Sequence, residues 1–356
     1  MEPVATGESA DWAPAFEAIA EREVAARRFA GAVLVARGTE PVFAAAYGLA
    51  DRERRIPNRL STRFRHGSMS KMLTGVAVGQ LIQLGQLDPA APVGTYLPDY
   101  PNREVATKVT VHHLLTHTGG TGEIFEPEYL VRREQVRTIA DYLALFGDRG
   151  PRFEPGTRLA YSNYGYLLLG AIIEAVTGES YYDYIDQRVL APAGMTRTGS
   201  LPEAAAVPEL AVGYTAGGVV NGRYRYSGGE QDRRNDDTLP YRGTPAGGGY
   251  STVEDWWRFA TALTGHRLLD PVHTALVTSG QARVGWTGDE IGYGFFIRTI
   301  YGVRSFGHAG GAPGMSGALA IYPDTGHVVA VLANCDPPAA EDAARFIWSR
   351  LPVCRR

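Results

Sequence analysis

The N-terminal part of the chain carries first a helical and then a strand-like hydrophobic period. The helical pattern predicts an amphipathic helix over residues 12–28. Two short apolar runs, 31–36 and 42–47, predict strands that pair as a hairpin across the intervening Gly38-Thr39-Glu40-Pro41 turn. Residues 68–84 are apolar on nearly every side of a helix, which predicts a helix buried inside the protein.

Helical patterns dominate the middle of the chain, and strand patterns return near its end. The candidate helices of the middle part are 111–115, 136–146, 164–176 and 181–190. The candidate elements that follow are a helix at 253–263, strands at 293–300, 303–307, 318–322 and 328–334, and a final helix at 339–351. Residues 213–248 show little periodicity and are rich in Gly, Tyr, Arg and Asp, so they are interpreted either as an ordered loop over a site or as a linker.

Strands at both ends with helices between them predict an α+β fold with one antiparallel sheet built from both termini. Residues 1–84 and 245–356 are expected to form the sheet domain and its flanking helices. Residues 85–244 are expected to form an inserted, mostly helical subdomain that carries active-site loops. The two parts are predicted to act as one continuous catalytic unit.

Composition narrows the class of partner. The chain has 356 residues, of which 44% are hydrophobic and 21% charged, as expected of a globular protein with a large core. A formal net charge of −3 provides no basic surface for nucleic acid or an anionic membrane. A small-molecule substrate is therefore the expected partner, and the oligomeric state is left open.

The termini and cysteines bear on location and cofactors. The N-terminus lacks the basic start and apolar stretch of a secretory signal, and the longest apolar runs fall far short of the ~20 residues that cross a bilayer. A cytoplasmic location is expected. Cys335 and Cys354, the two cysteines, are too few for a disulfide framework or a metal cluster and are interpreted as inert thiols.

Ser68-Met69-Ser70-Lys71 is the first segment that suggests chemistry. Lys71 is one of only two lysines, and on a helix it would share a face with Ser68. A serine hydroxyl needs a neighbouring base, and both desolvation and the positive end of a helix favour a neutral amine. The alternative is that Ser68 only caps the helix and Lys71 is a solvated cation.

The glycines of the same predicted helix indicate a crowded position. Gly75 and Gly79 lie on the face that carries Ser68 and Lys71, and each costs roughly 1 kcal/mol relative to Ala in a helix interior. Another part of the chain is therefore expected to pack very closely against this face.

Tyr161-Ser162-Asn163 opens the predicted helix 164–176. A phenol at a helix start and near a cation can have its pKa depressed and serve as a proton acceptor or donor. The Asn163 amide offers a donor and an acceptor to a substrate. Alone the pattern is weak, because Asn also caps helices well.

Gly307-His308-Ala309-Gly310-Gly311 is expected just after a strand. Small residues leave backbone N–H groups bare, which suits a strand edge that pairs with substrate and supplies an oxyanion donor. His308 could orient a substrate carbonyl or carboxylate. The alternative is a glycine turn with an incidental histidine.

The three patterns together, S-x-x-K, Y-x-N and H-x-G in that order, resemble the class C β-lactamase-related serine hydrolases. This family shares the fold of penicillin-binding DD-peptidases and includes esterases, D-amino-acid amidases, β-lactamases and acyltransferases. The resemblance spans nearly the whole chain. Its supporting stretches are residues 64–71, 114–120, 153–156 and 246–252.

The resemblance implies the catalytic roles. Ser68 would be the nucleophile that forms an acyl-enzyme, while Lys71 and Tyr161 would share general-base and general-acid work. Neither a metal nor an organic cofactor is implied.

The resemblance also implies how a substrate is held. Asn163, His308 and Gly310 would contact it, and the backbone N–H groups of Ser68 and Gly311 would form the oxyanion hole. Many relatives have Lys-Thr-Gly where this chain has His-Ala-Gly. Losing that cation and hydroxyl weakens the case for a β-lactam or peptidyl carboxylate substrate.

A hydrolase of esters or amides is therefore the leading functional hypothesis. The alternatives are an acyltransferase of small-molecule biosynthesis, a β-lactamase or DD-peptidase, and a non-catalytic binding protein with the same fold. His113 and His117, with the adjacent His112, include an i, i+4 pair that could face a metal, but a structural role is the expected one.

Overall fold

A nine-stranded antiparallel sheet forms the centre of the described chain. The computed structural model describes residues 4–9, 11–220, 223–225, 231–285, 288–300 and 302–351. The strands are β1 (Val4–Ala5), β2 (Gly31–Arg37), β3 (Glu40–Tyr47), β4 (Ala282–Arg283), β5 (Glu290–Ile291), β6 (Phe296–Ile300), β7 (Val303–Ala312), β8 (Met315–Tyr322) and β9 (His327–Ala333). Their order across the sheet is β1-β3-β2-β9-β8-β7-β6-β5-β4, so pairing of β2 with β9 joins the two ends of the chain.

Helices cover the sheet and fill the interval between its two halves. They are α1 (Ala13–Ala25), α2 (Ser70–Gln83), α3 (Arg103–Lys108), α4 (Val111–Leu115), α5 (Pro127–Arg132), α6 (Ile139–Phe146), α7 (Asn163–Thr177), α8 (Tyr181–Ile185), α9 (Ala191–Ala193), α10 (Val253–Thr264), α11 (Pro271–Thr278) and α12 (Ala339–Trp348). Short ladders outside the main sheet pair Leu49–Asp51 with Ile56–Pro57, Phe64–Arg65 with Tyr250–Ser251, Tyr214–Thr215 with Arg233–Arg234, and Gly218–Val220 with Arg223–Arg225.

The two faces of the sheet bury separate hydrophobic cores. Alternation along each strand sends successive side chains to opposite faces, so Val33 and Leu34 of β2 join different cores. One core packs α1 and α12 against the sheet, and Trp12 and Phe16 lie in it. The other packs the sheet against α2, α7 and α10 and is the larger of the two. The α+β prediction with a sheet built from both termini is confirmed.

Helix α2 lies inside the larger core, as its sequence predicts. Every residue from 70 to 79 is buried. A Cβ added to Gly75 would lie 2.0 Å from the backbone oxygen of Tyr293, and one added to Gly79 would lie 2.8 Å from a methyl of Val277. The close packing expected at these two glycines is confirmed.

Several element bounds differ from the sequence prediction, each for a local reason. Helix α1 ends at Ala25 rather than at 28, because Arg27 takes a positive φ of 57°. Helix α6 begins at Ile139 rather than at 136, where Thr138 forms a capping box with Asp141. The predicted helix 181–190 is α8 followed by a π-turn over Asp186–Leu190.

The glycine-rich third motif lies within a strand and not after one, so that expectation was wrong. Strand β7 continues from Val303 to Ala312 and pairs with β8 along residues 306–312. Glycine is depleted in strands because it has no side chain to pack. Here the absence of a side chain is what allows β7 to lie against another backbone segment.

Some predictions are not tested by the fold. The division into a sheet domain and a helical subdomain stays a prediction. In the described ranges, every helix is too short or too polar to cross a membrane. The cytoplasmic location stays a prediction. Of the segment 213–248, residues 221–222 and 226–230 lie outside the described residues, while its last part lines the cavity described below.

Candidate active site

Ser68 lies on a 3-10 turn, Gly67–Met69, that leads directly into α2. The short ladder between Phe64–Arg65 and Tyr250–Ser251 fixes the chain before the turn. Gly67 has a φ of +53°, a conformation that favours glycine. The turn therefore presents the Ser68 hydroxyl at the N-terminal tip of a buried helix.

Lys71 is fully buried one turn after Ser68. Its Nζ donates to Asn163 Oδ1 at 2.7 Å and to the backbone oxygen of Ala246 at 2.5 Å, and lies 3.3 Å from Ser68 Oγ. The amine and the hydroxyl thus meet as the i, i+3 spacing predicts. The alternative of a solvated first-turn cation is excluded by this burial.

Burial lowers the pKa of Lys71 from its ordinary value to about 7, although the Glu123 carboxylate acts in the opposite direction. A neutral amine has two N–H groups and one lone pair. The two carbonyl oxygens, of Asn163 and Ala246, accept those two N–H groups. The lone pair is then left for the Ser68 hydroxyl, which is the arrangement that a general base requires.

Tyr161 contacts the same Ser68 hydroxyl as Lys71 does. Its phenol hydrogen-bonds with the Ser68 side chain, and Lys71 Nζ lies 4.7 Å from the centre of its ring. Although 37% of the residue is exposed, burial of the phenol raises its pKa above the ordinary value. The expectation of a depressed pKa was wrong, because desolvation outweighs the hydrogen bond with Ser68 and the Glu123 carboxylate raises the pKa further. Tyr161 is a protonated donor at neutral pH.

Two neutral histidines flank the Tyr161 ring. His117 stacks on it with ring centres 4.3 Å apart, and its Nδ1 accepts the Ser162 backbone N–H at 3.1 Å. His308, on β7, lies on another side with ring centres 6.3 Å apart. Burial lowers the pKa of His308 to about 3 and lowers that of His117 well below its usual range, and Lys71 adds repulsion in both. Neither ring supplies a fixed charge at neutral pH.

The free edge of β7 runs beside the nucleophile turn. Strand β6 stops pairing with β7 at Gly307, and alternation along the strand turns the N–H groups of Ala309 and Gly311 toward that same edge. A Cβ added to Gly310 would lie 2.0 Å from the His66 carbonyl oxygen and 2.9 Å from the backbone nitrogen of Ser68. Only glycine fits there.

The oxyanion hole predicted for Ser68 and Gly311 has its two nitrogens on adjoining backbone segments. A Cβ added to Gly67 would lie 2.8 Å from Gly311 N. Two backbone N–H groups that face one spot can bind the oxyanion of a tetrahedral intermediate. The assignment stays a prediction, as do the substrate contacts of Asn163, His308 and Gly310.

A cavity of about 180 Å³ opens at Ser68. A cavity of roughly 150 Å³ holds a benzene molecule, so a small acyl group fits. Its side chains are largely apolar and include Ile124, Phe125, Tyr142, Pro240 and Met315. Among its described lining residues, none carries an acidic, basic or imidazole group.

Glu123 is a site residue that sequence reasoning missed. Asn163 Nδ2 lies 2.8 Å from both carboxylate oxygens of Glu123, while Asn163 Oδ1 faces Lys71. Glu123 is one of 38 acidic residues and follows a glycine-rich stretch. Only the resemblance of residues 114–120 hinted that this segment lies near the site.

The three histidines considered for metal binding have separate partners. His112 Nδ1 lies 3.0 Å from the Tyr293 hydroxyl, and His113 Nδ1 accepts the Thr110 N–H in a capping box. His117 accepts the Ser162 N–H. These contacts are those of a structural role.

Comparison with known proteins places this arrangement in context. The family model described as Beta-lactamase matches residues 16–351. Penicillin-binding protein 4 of Amycolatopsis lactamdurans is 29% identical over 289 residues, which are 76% of this chain and 72% of that protein. Esterase EstB of Burkholderia gladioli is 33% identical over 218 residues, or 56% of this chain. The match spans only 55% of EstB, and a match to PbpX of Bacillus subtilis spans 45% of that relative.

A solved structure extends the likeness over the fold. The crystal structure of a penicillin-binding protein from Bacillus halodurans superposes with a TM-score of 0.81 at 31% sequence identity. The superposition covers 93% of this chain and 98% of that one. The backbone fold is therefore shared along nearly the full length of both chains.

Proposed function

The chain belongs to the Beta-lactamase family of serine hydrolases, and from this premise we propose that it hydrolyses an ester or amide with an uncharged acyl group through an acyl-enzyme on Ser68. The observation that carries the proposal is the approach of Lys71 Nζ to 3.3 Å from Ser68 Oγ. A buried amine with a pKa near 7 is half neutral at neutral pH. It is therefore a competent base for a serine.

Acylation proceeds by transfer of the Ser68 proton to Lys71 while Oγ bonds to the substrate carbonyl carbon. The carbonyl oxygen becomes an oxyanion, which accepts hydrogen bonds from the N–H groups of Ser68 and Gly311. When the intermediate collapses, the bond to the leaving group breaks. Tyr161, which is protonated, donates a proton to the leaving oxygen or nitrogen and regains one from the Lys71 ammonium.

Deacylation reverses these roles. Water attacks the acyl carbon, its proton passes to the base formed by Lys71 and Tyr161, and the bond between carbon and Ser68 Oγ breaks. The product acid leaves and Ser68 regains its proton. No step needs a group beyond the side chains and backbone of this site.

The cavity supports an uncharged acyl group. Its described lining offers no cation to a carboxylate, and His308 is neutral because burial lowers its pKa to about 3. A carboxylate placed there would lose its hydration without gaining an ion pair. The likeness to EstB, which is named an esterase, agrees with this choice.

Intact-mass spectrometry tests the proposal. A fluorophosphonate should add one adduct to the wild type and none to Ser68→Ala, and p-nitrophenyl esters of short acids should be hydrolysed by the wild type alone. A chromogenic cephalosporin, which carries a carboxylate, should be turned over poorly. Absence of any adduct would indicate a non-catalytic binding protein. If an added amine is acylated faster than the ester is hydrolysed, the protein is an acyltransferase and not a hydrolase.

A further inference from the structure

We infer that Glu123 is a positioning residue that orients the Asn163 amide toward Lys71 and holds a proton on that amine in the free protein. The inference deepens the proposed function, because it concerns the base of the same site. It begins from the row of contacts that joins Glu123, Asn163 and Lys71.

The carboxylate decides which way the Asn163 amide points. An ionised carboxylate only accepts hydrogen bonds, so the end of the amide that lies 2.8 Å from both Glu123 oxygens must be the NH₂ group. The amide oxygen is then turned to Lys71 Nζ, 2.7 Å away. Without Glu123, either end of the amide could face the amine. If the amide rotated, its NH₂ group would face an N–H of Lys71, and two hydrogen-bond donors would be opposed.

Glu123 is itself held in place by its surroundings. The Ser162 hydroxyl donates to the Gly122 carbonyl oxygen at 2.5 Å, which ties the loop to the start of α7. Arg149 donates to the backbone oxygen of Glu123 at 3.1 Å, while the side chain of Arg149 pairs with Glu128. The carboxylate also accepts the Ile124 N–H at 2.7 Å. Its position therefore does not depend on a substrate.

Among the described residues, the other titratable groups that interact with Lys71 are uncharged at neutral pH. Burial raises the pKa of the phenols of Tyr161 and Tyr166 and lowers the pKa of the imidazoles of His117 and His308. The ring centres of the two tyrosines lie 4.7 and 5.3 Å from Nζ, and both histidines interact electrostatically with the amine. The Glu123 carboxylate is thus the charge that opposes desolvation at the amine.

The two lysines of the chain allow a direct test by NMR. In protein labelled with ¹³C only at lysine, Lys71 and Lys108 give the two side-chain ε-carbon signals, and Lys108→Arg assigns them. Lys108 serves as an internal reference, since its pairs with Glu104 and Glu154 raise its pKa. The midpoint of Lys71 is then read from pH 5 to pH 10 without any reliance on activity.

Glu123→Gln should lower the Lys71 midpoint by about 0.5–1 pH unit, because an opposite charge near an amine favours its ionised form. Glu123→Asp, which keeps the charge, should stay within about 0.3 unit of the wild type. Glu134→Gln makes the same chemical change at an exposed residue and should leave the midpoint unmoved. Circular dichroism confirms that each variant is folded.

Equal midpoints in the wild type and Glu123→Gln would overturn the inference, and so would an equal shift in Glu134→Gln. This result is separable from the proposed function, which depends on the Ser68 adduct. If the wild type shows no Ser68 adduct but Glu123→Gln lowers the Lys71 midpoint, the positioning role of Glu123 stands and the hydrolase proposal falls. If the adduct forms but the midpoint does not change, the hydrolase proposal stands and the role of Glu123 falls.

Discussion

Replacing Lys71 by Arg should abolish acylation although it preserves the positive charge. The ordinary pKa of lysine, 10.5, would leave about one amine in 3,000 neutral at pH 7, whereas a pKa of about 7 leaves about half neutral. A guanidinium stays protonated at any useful pH. Because loss of a general base costs typically 10²–10⁴-fold, Lys71→Arg should acylate at least about a hundredfold more slowly.

The wild-type pH profile follows from the same value. The neutral amine is the active form, so kcat/KM for acylation should rise with pH through about 7 and level off above it. Below about pH 6 the rate should fall roughly tenfold per pH unit. This rise of kcat/KM with pH is measured by stopped-flow release of p-nitrophenol from an uncharged ester between pH 5 and 9.

The other lysine supplies the control for this experiment. Lys108 lies on the surface in pairs with two glutamates, and Lys108→Arg should leave both the rate and the profile unchanged. If Lys71→Arg acylated within tenfold of the wild type, or if the wild-type rate were flat from pH 5.5 to 8, another group would be the base. The geometry around Ser68 would then have been misinterpreted.

Three further outcomes follow from the packing of the site. Gly75→Ala should destabilise the fold by about 1–3 kcal/mol in chemical denaturation, since its Cβ would strike a backbone oxygen. Gly79→Ala should destabilise it less, because its Cβ would meet side-chain methyls. A Gly75→Ala variant more stable than the wild type would contradict the close contact. Gly310→Ala should push the turn that carries Ser68 away from β7 and lower kcat/KM by more than about tenfold. Gly285→Ala, with open space around it, should leave kcat/KM unchanged. Between about pH 7 and 10.5 the unfolded wild type binds more protons at Lys71 than the folded protein does. The free energy of unfolding of the wild type, relative to that of Lys71→Met, should therefore rise with pH by up to about 1.4 kcal/mol per pH unit. Parallel curves of unfolding free energy against pH for the two proteins would refute the lowered pKa.

The parts of the fold that sequence predicted well are those with a strong local period. The all-round apolar surface of α2 required a place inside the core, and its Gly75 required a close neighbour, which is the Tyr293 backbone. The hairpin of β2 and β3 followed from two apolar runs and a turn. These features depend on residues that are near one another in sequence, so a pattern of hydrophobic positions is enough to place them.

The parts that sequence could not predict depend on long-range contacts. Glycine-rich residues 307–311 predicted a turn by propensity, but pairing with β8 on one side and contact with the Ser68 turn on the other make them a strand. The sign of the Tyr161 pKa shift depends on how deeply the phenol is buried, which no local pattern reports. Glu123 joins the site only because its loop is tied to the start of α7.

The neutrality of His308 connects the strength of the base with the choice of substrate. A permanent cation on β7 at this position would repel the Lys71 ammonium and lower the amine pKa further, and it would also attract a substrate carboxylate. In this chain desolvation alone brings the pKa of Lys71 to about 7 against the pull of Glu123, so the base needs no second cation. The described lining of the cavity at Ser68 likewise carries no charged side chain. A site that obtains its base by burial rather than by cationic neighbours is therefore suited to acyl groups that are themselves uncharged.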